Sequence, residues 1–502
     1  MIGRVAIDGA MRRMLQGALG AAQRFPLIRS AARLVVPPSL RTNVVHLGTP
    51  PHDISRKDFE QLLAYADPVR NDAGGPVVMC CGSLVPGGAE RQIVNTLCGL
   101  AQHGLRDRLI LLAECLTPNR PERYDFYLPM LQQAGIAARE IRETNEPHDF
   151  GRPGASVAIE AIKRLPLMTD VANLYREFTD LKPAVVHAWL DRSSVRAGLA
   201  AVLAGVPNVV LSGRNLNPTN FFFFAPYLLP AYQALAQKAQ VQFINNSEAG
   251  AEDYAQWMGV PRERFRVVLN GVDFDTFARP SPEAIGALRA SLGAPPGVPL
   301  VGGLFRFSPE KRPELWIETA ALIAAAQKDC RFALFGMGPL RSDMIALAGK
   351  RGLADRLAIR DVTAEPLVAL AAFDVCLLTS AAEGTPNVAL EAQWLGTPVI
   401  ATAGGGTREA LDLGASGWLV EEPHADALAK AVLQALSDTN SKAAAAVRGP
   451  VFVKRRFGMD RMLRETLELY GIMMERSLEP LHEQHAAAGE RPPGHPGRQD
   501  AK

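Results

Sequence analysis

The chain contains few of the features that mark secreted, membrane-spanning or nucleic-acid-binding proteins. Only six of its 502 residues are cysteine, and none form a CxxC pair, which indicates a reducing compartment and no structural zinc. No run of about 18 uncharged apolar residues is present, so we expect no spanning helix. The net charge is only +2, and no basic stripe carries interleaved aromatic residues, which argues against a nucleic-acid partner.

The composition is that of a soluble α/β protein. Hydrophobic residues make up 48% of the chain and charged residues 21%, and the length allows two or three domains. Buried-strand patterns alternate with helical patterns in two series, one starting at residues 76–81 and the other at residues 299–302. This alternation predicts two Rossmann-like halves, each with a doubly wound parallel sheet, that face each other across a ligand-binding cleft.

Individual strands are predicted from short apolar runs that are bounded by turn residues. In the first half they are expected at 76–81, 108–113, 184–188, 208–211, 242–245 and 266–269. In the second half they are expected at 299–302, 332–335, 357–360, 374–378 and 398–400.

The most informative stretch runs from Glu383 to Glu391, between a strand pattern and a helix pattern. Gly384 allows close approach of a ligand, Thr385 is a good N-cap, and Pro386 suits the first helical position. Free amides and the helix dipole make such a turn an anion site. The two carboxylates can accept hydrogen bonds from sugar hydroxyls on either side of a phosphate, which describes a nucleotide sugar. A capped helix with one surface glutamate is the alternative.

Two further glycine-rich turns and one pair of cations could meet the same ligand. Gly87 and Gly88 lie between a strand and a helix, without the P-loop or GxGxxG spacing, and Gly405 lies in a second amide-rich turn. Arg306 and Lys311 follow the first strand of the second half. Such cations can neutralise a departing diphosphate without a metal. Solvated loop charges are the alternative.

His187 and Asp191 stand at the end of a predicted strand, where active residues of parallel sheets collect. His187 is therefore a candidate catalytic residue, with a hydrogen-bonded structural histidine as the alternative. Asp273 and Asp275 have the Asp-x-Asp spacing of a metal–diphosphate site. They lie in a turn at the linker, so no metal site is predicted.

The first 42 residues are strongly basic, with a single acid, Asp8. Apolar residues are interleaved with seven arginines: Arg4, Arg12, Arg13, Arg24, Arg29, Arg33 and Arg41. This pattern fits a basic surface lying on anionic lipid, and ordinary docked helices are the alternative. The chain is accordingly divided into a basic extension (1–74), a first Rossmann-like domain (75–275), a linker (276–298), a second Rossmann-like domain (299–450), a crossover helix (451–476) and a disordered tail (477–502).

Four segments, taken in this order, resemble the family 4 retaining glycosyltransferases of GT-B fold, and the match covers roughly residues 75 to 475. They are Gly87-Gly88-Ala89-Glu90-Arg91-Gln92, Asn270-Gly271-Val272-Asp273, Arg306-Phe307-Ser308-Pro309-Glu310-Lys311, and the two glutamates Glu383 and Glu391 with seven residues between them.

The resemblance implies roles for the candidate residues. Arg306 and Lys311 would bind the donor diphosphate, with the amides near Gly384 and Thr385 completing its cradle. Glu383 would hold the donor sugar and Glu391 the ribose. No metal or other cofactor would be required, and the last helix would cross back onto the first domain. The family often carries a second histidine where this chain has Trp189, so either His187 or Trp189 occupies the family position.

The sequence thus predicts a retaining glycosyltransferase that moves a sugar from a nucleotide-diphosphate donor to a lipid-linked glycan acceptor in bacterial envelope or exopolysaccharide biosynthesis. The run of four phenylalanines from Phe221 to Phe224 is expected near such an acceptor, because four in succession cannot all face one core. We expect the protein in the cytoplasm, peripherally bound to the inner face of the membrane. A nucleotide-sugar epimerase of GT-B fold and a catalytically silent partner subunit are the alternatives.

Overall fold

The computed structural model describes residues 54–71, 74–117, 124–142, 167–221, 224–363 and 365–472. They form two parallel sheets. The first contains β1 (Val77–Cys81), β2 (Leu109–Ala113), β3 (Ala137–Glu140), β4 (Val185–Trp189), β5 (Asn208–Gly213), β6 (Val241–Asn245) and β7 (Phe265–Val267). The second contains β8 (Leu300–Leu304), β9 (Arg331–Phe335), β10 (Leu357–Arg360), β11 (Val375–Leu378), β12 (Val399–Thr402) and β13 (Gly417–Val420).

Helices connect the strands and cover both faces of each sheet, as parallel sheets require. The α-helices of the first half are Arg56–Leu63, Gly88–Leu100, Leu128–Gln133, Leu167–Leu181, Asp191–Leu203, Leu228–Leu235 and Glu248–Met258. Those that follow are Pro282–Ser291, Pro313–Ala326, Arg341–Lys350, Pro366–Ala372, Asn387–Leu395, Ala425–Ser437, Thr439–Phe457 and Met459–Tyr470. The predicted fold class, two doubly wound halves of GT-B type, is confirmed.

The strand order locates the site. It is β3-β2-β1-β4-β5-β6-β7 in the first sheet and β10-β9-β8-β11-β12-β13 in the second, so the order reverses between β1 and β4 and between β8 and β11. Ligands of such sheets bind at the carboxyl ends of the strands where the order reverses. The predicted site segments follow these strands directly: Gly87 and Gly88 come after β1, Arg306 and Lys311 after β8, and Glu383 after β11.

The end of the chain differs from the predicted continuous helix at 451–476. Gly458 adopts an extended conformation and divides it into Thr439–Phe457 and Met459–Tyr470, and the second helix ends at Tyr470. We call Met459–Tyr470 the crossing helix, because its buried Leu463 and Leu467 belong to the core of the first half. The predicted return of the chain to the first half is confirmed.

Two edge strands, β3 and β13, were not predicted. The four residues of β3 are exposed or half-buried, and only the first residue of β13 is buried. The sequence of β3, Ala-Ala-Arg-Glu, lacks the continuous apolar run by which the inner strands were predicted. The sequence of β13, Gly-Trp-Leu-Val, has a short apolar run directly after turn residues, and this run was missed.

Several predictions fall outside the described residues. These are the seven arginines of the first 42 residues, the tail at 477–502, and Phe222 and Phe223 of the phenylalanine run. Within the described part of the chain, no helix is both long and apolar enough to cross a bilayer.

Candidate active site

The turn after β11 brings the predicted phosphate loop against the first half of the molecule. A Cβ atom at Gly384 would lie 2.2 Å from Asn246 Oδ1 and 2.6 Å from the carbonyl oxygen of Arg214. Both distances are too short for any side chain, so this position requires glycine. Gly384 thus packs closely against the main chain and a side chain of the first half, and the close approach of a ligand at this position stays a prediction.

The cap of the following helix differs from the prediction. The helix begins at Asn387 with Pro386 at the N-cap, so Thr385 is not the capping residue and Pro386 is not the first helical residue. Thr385 Oγ1 instead donates a hydrogen bond to the main-chain oxygen of Asn246. The reason lies in tertiary structure, because the first half offers this hydroxyl a buried carbonyl.

Two glycine turns of the second half are joined to each other. The amide of Gly406 donates to the carbonyl oxygen of Glu383 at 3.0 Å, and Gly405 has a φ of +58°, which favours glycine. Among the described residues, no acceptor is found for the main-chain amides of Gly384, Thr385 and Gly405. Unpaired amides in adjoining turns are suited to an anion.

Lys311 and Glu383 form an ion pair. Lys311 Nζ lies 2.5 Å from Glu383 Oε1, and both side chains are largely buried. Among the described residues, no ion pair or hydrogen bond is found for the side chain of Arg306, which is exposed. Arg306 interacts electrostatically with Glu90 of the first half. Burial raises the pKa of the Glu90 carboxyl above its ordinary value, while a hydrogen bond from the residue's own amide and the positive charge of Arg306 act to lower that pKa. The two predicted cations therefore differ in their surroundings.

Glu391 is held by a residue from the other half. Arg91 Nη2 donates to Glu391 Oε1, and Glu391 is buried. Burial tends to lower the pKa of Arg91, but the charge of Glu391 raises it above its ordinary value. In the sequence, Arg91 is marked only as part of the segment Gly87 to Gln92. Its position in the first turn of a helix that follows a glycine-rich turn could have indicated that it faces the site.

Amide side chains extend this contact between the halves. Asn387 Oδ1 accepts a hydrogen bond from Asn270 Nδ2 at 2.7 Å, and Asn387 Nδ2 donates to the main-chain oxygen of Gly88 at 3.3 Å. Gln92 Oε1 accepts from the amide of Gly271 at 3.0 Å. Gly87 itself is the N-cap of the helix Gly88–Leu100. The first glycine turn, the turn at Asn270 and Gly271, and the helix after β11 thus meet at one place.

A second carboxylate crosses between the halves. Glu409 accepts hydrogen bonds from the amides of Glu248 and Ala249 at 2.8 and 2.9 Å. These amides open the helix Glu248–Met258, where a helix N-terminus would otherwise attract an anion. The amides of Glu248 and Ala249 are therefore occupied by a carboxylate of the protein itself.

His187 lies apart from these residues. It is fully buried on β4, and its Nδ1 lies 2.7 Å from the hydroxyl of Tyr470 on the crossing helix. Burial and the charge of Arg214 lower its pKa to about 3. None of its described contacts is with Glu383, Arg306 or Lys311. The structure therefore does not bring His187 together with the other predicted catalytic residues.

The remaining candidates have structural partners. The hydroxyls of Tyr232 and Tyr254 both donate to Asp191 Oδ1, which is buried in the first half. Asp275 pairs with Lys454 at 2.7 Å, and Asp273 Oδ1 accepts from the amide of Asp275. In the described parts of the chain, no three His, Cys, Asp or Glu side chains are grouped so as to hold a metal ion.

Two family models match the chain in succession. "Glycosyltransferase Family 4" matches residues 86–276 and "Glycosyl transferases group 1" matches residues 285–449. Together the two matched segments make up the greater part of the chain; the first contains β2 to β7, and the second contains the whole second sheet.

Characterised relatives match with moderate identity. The Vi polysaccharide biosynthesis protein VipC/TviE of Salmonella typhi is 29% identical over 408 residues, which are 78% of this chain and 70% of that protein. A D-inositol 3-phosphate glycosyltransferase of Thermobispora bispora is 31% identical over 262 residues, 49% of this chain and 60% of that enzyme. The chain thus spans less than two thirds of the second relative.

Solved structures share the fold. Anabaena Alr3699/HepE, in complex with UDP and glucose, superposes with a TM-score of 0.65 at 22% identity, covering 79% of this chain and 99% of that one. Sucrose-phosphate synthase of Thermosynechococcus elongatus superposes with a TM-score of 0.62 at 21% identity, covering 79% and 98%. At these identities the likeness concerns the fold.

Proposed function

The chain is a glycosyltransferase of family 4 and group 1, and from this premise we propose that it transfers a sugar, with retention of anomeric configuration, from a nucleotide-diphosphate donor to a glycan acceptor in bacterial envelope or exopolysaccharide biosynthesis. The proposal is carried by one observation: Glu383 and Glu391 are each paired with a cation, and unpaired main-chain amides lie in the adjoining turns. Glu383 contacts Lys311 and Glu391 contacts Arg91. A diphosphate with a sugar on either side needs such a set of groups.

Each group has a role in this proposal. The amides of Gly384, Thr385 and Gly405 receive the diphosphate oxygens. Lys311 and Arg306 neutralise the charge that develops when the bond to the sugar breaks. Glu383 accepts hydrogen bonds from the donor sugar, and Glu391 accepts them from the ribose. In this proposal main-chain amides and the side chains of Arg306 and Lys311 bind the diphosphate, and the reaction requires no metal or other cofactor.

The proposed reaction takes place on one face of the sugar. The acceptor oxygen forms a bond to the anomeric carbon while the bond from that carbon to the diphosphate oxygen breaks, and the acceptor proton passes to the leaving diphosphate. Retention of configuration follows from attack on the face that the diphosphate leaves. The protein orients the two reactants, and its fixed positive charge stabilises the negative charge that develops on the leaving diphosphate.

A uridine nucleotide is the first donor to test. A structural relative is described in complex with UDP and glucose, and one sequence relative is named for Vi polysaccharide biosynthesis. Purified full-length protein should be screened by thermal shift against UDP-, GDP- and ADP-sugars. The nucleotide that raises the melting temperature should then be tested for release of nucleotide diphosphate from its sugar conjugates, with and without glycan acceptors.

The same assay separates the alternatives. A transferase releases nucleotide diphosphate, an epimerase converts the donor sugar without releasing it, and a silent subunit does neither. Only the first result supports the proposal. Direct analysis of the anomeric configuration of the product by NMR tests retention, since an inverted product would contradict the same-face reaction.

We place the acceptor on lipid because of the basic first 42 residues. Seven arginines there could hold the enzyme at an anionic leaflet, where each basic residue near the surface contributes about 1 kcal/mol. Phosphatidylglycerol vesicles should retain the full chain at low salt and release it at high salt. A variant that begins at Asp53 should bind them more weakly. Equal binding of the two proteins would remove this role from the first 42 residues.

A further inference from the structure

The helix Thr439–Phe457 has one face in the core and one face in solvent. Val453 and Phe457 are buried against Val272 and Leu390. On the outer face Val447 is 71% exposed and Val451 is 65% exposed, which makes them the most exposed large apolar side chains in the described part of the chain. Residues four apart on a helix are neighbours, so the two valines form one apolar strip.

Arginines surround this strip. A cavity of about 600 Å³ is lined by the two valines and Phe452 together with Arg448, Arg455 and Arg456. We call these six residues the arginine–valine surface. It adjoins the end of the first half, since Leu269 also lines the cavity, and none of its residues belongs to the proposed donor site.

The positive charge of this surface is only partly neutralised. Arg448 pairs with Asp412 at 3.1 Å, but no ion pair within 4.0 Å is found for Arg455 or Arg456 among the described residues. Burial lowers the pKa of the neighbouring Arg461, although the charge of Glu465 acts to raise it. The positive charges of Arg456 and Arg464 lower this pKa further. Like charges are therefore crowded here.

We propose that the arginine–valine surface binds an anionic lipid bilayer. Exposed apolar side chains between arginines match a membrane interface, where the apolar groups enter the acyl boundary and the guanidinium groups bind lipid phosphates. Arginine side chains are long enough to reach the headgroups while their apolar stems lie beside the valines. The surface is separate from the first 42 residues, and the inference does not depend on the identity of donor or acceptor.

The test compares full-length variants by flotation with vesicles. Arg455→Glu/Arg456→Glu reverses the unpaired charges, and Val447→Ser/Val451→Ser removes the apolar strip. The matched controls are Lys350→Glu/Lys430→Glu, which makes the same charge change at exposed lysines, and Ile345→Ser/Val362→Ser, which changes side chains that are 53% and 48% exposed. All four variants retain the first 42 residues.

With phosphatidylglycerol–phosphatidylcholine vesicles at low salt, both surface variants should lose about tenfold or more in partition coefficient, and both controls should stay within about twofold of wild type. Phosphatidylcholine alone should bind all proteins weakly. Melting temperatures should be unchanged, because every substituted side chain is exposed. Wild-type flotation of both surface variants, or equal losses in the controls, would overturn the proposal. Unchanged flotation with a changed mass in sedimentation would assign the surface to a second copy of the chain.

Discussion

Arg91 and Glu391 form an ion pair between the two halves of the molecule, 300 residues apart in the chain. The carboxylate that we propose for the ribose is thus already oriented by a cation from the other half. Nucleotide binding and closure of the two halves would therefore be coupled, because the pair exists only when the halves are together.

Arg91→Met is expected to weaken nucleotide binding about thirtyfold. The substitution leaves Glu391 buried without its charge partner, and a hydrogen bond to a charged group contributes on the order of 2 kcal/mol. Arg91→Lys keeps the charge and should recover part of the loss. Calorimetry with the nucleotide measures both variants. Wild-type affinity in Arg91→Met would show that the pair does not orient the nucleotide site.

Lys311→Ala and Arg306→Ala should each reduce transfer while the fold remains intact. Both side chains are proposed to neutralise the leaving diphosphate, and loss of one such contact costs ~3 kcal/mol, about a hundredfold in rate. Lys350→Ala, at an exposed lysine outside the cleft, is the control. Initial rates with saturating acceptor measure the effect, and near-normal turnover in both cleft variants would exclude the assignment.

Activity in EDTA should equal activity in added magnesium. The proposed cradle obtains its positive charge from Arg306, Lys311 and main-chain amides rather than from a metal. Asp275 is paired with Lys454 in the structure. Rates measured after extensive chelation decide the matter, and a strict requirement for magnesium would return Asp273 and Asp275 to consideration as metal ligands.

His187 should affect stability at low pH. Its pKa is lowered from 6.5 to about 3, chiefly by burial. The folded state therefore binds fewer protons than the unfolded state between these values. Its contribution to stability is present above pH 6.5 and is lost as the pH falls toward 3, by up to about 1.4 kcal/mol per pH unit.

Urea unfolding at pH 7.5 and pH 5.0 measures this dependence. His187→Gln should flatten it, whereas Arg139→Gln, which removes one partner of the buried Glu177 in the same half, should not remove the histidine's contribution. An unchanged dependence in His187→Gln would mean that the imidazole titrates alike in the folded and the unfolded protein. Loss of transfer without any change in stability would support the catalytic role predicted for it.

The inner strands and the order of the site segments could be predicted because they depend on local pattern. Continuous apolar runs mark β1 and β11, whereas the edge strand β3 carries no such run. Partners distant in sequence could not be predicted. Threonine often caps a helix, yet the hydroxyl of Thr385 donates to the main-chain oxygen of Asn246 in the other half. The partner of Glu391 is likewise set by how the halves meet.

The break at Gly458 shows the same limitation. The single helix predicted at 451–476 runs across the point where the chain turns between the halves. There the amide of Val272, at the end of the first half, donates to the carbonyl oxygen of Phe457 at 2.8 Å. Helical periodicity does not report such contacts.

The division of the nucleotide sugar between Glu391 and Glu383 is the central claim. Calorimetry with UDP, or with whichever nucleotide the thermal-shift screen selects, tests it most directly. Glu391→Ala should lose nucleotide affinity because the ribose contact is removed. Glu383→Ala should bind the free nucleotide as wild type does and yet fail to transfer the sugar. Equal losses of nucleotide affinity in the two variants, or no loss in either, would contradict the account.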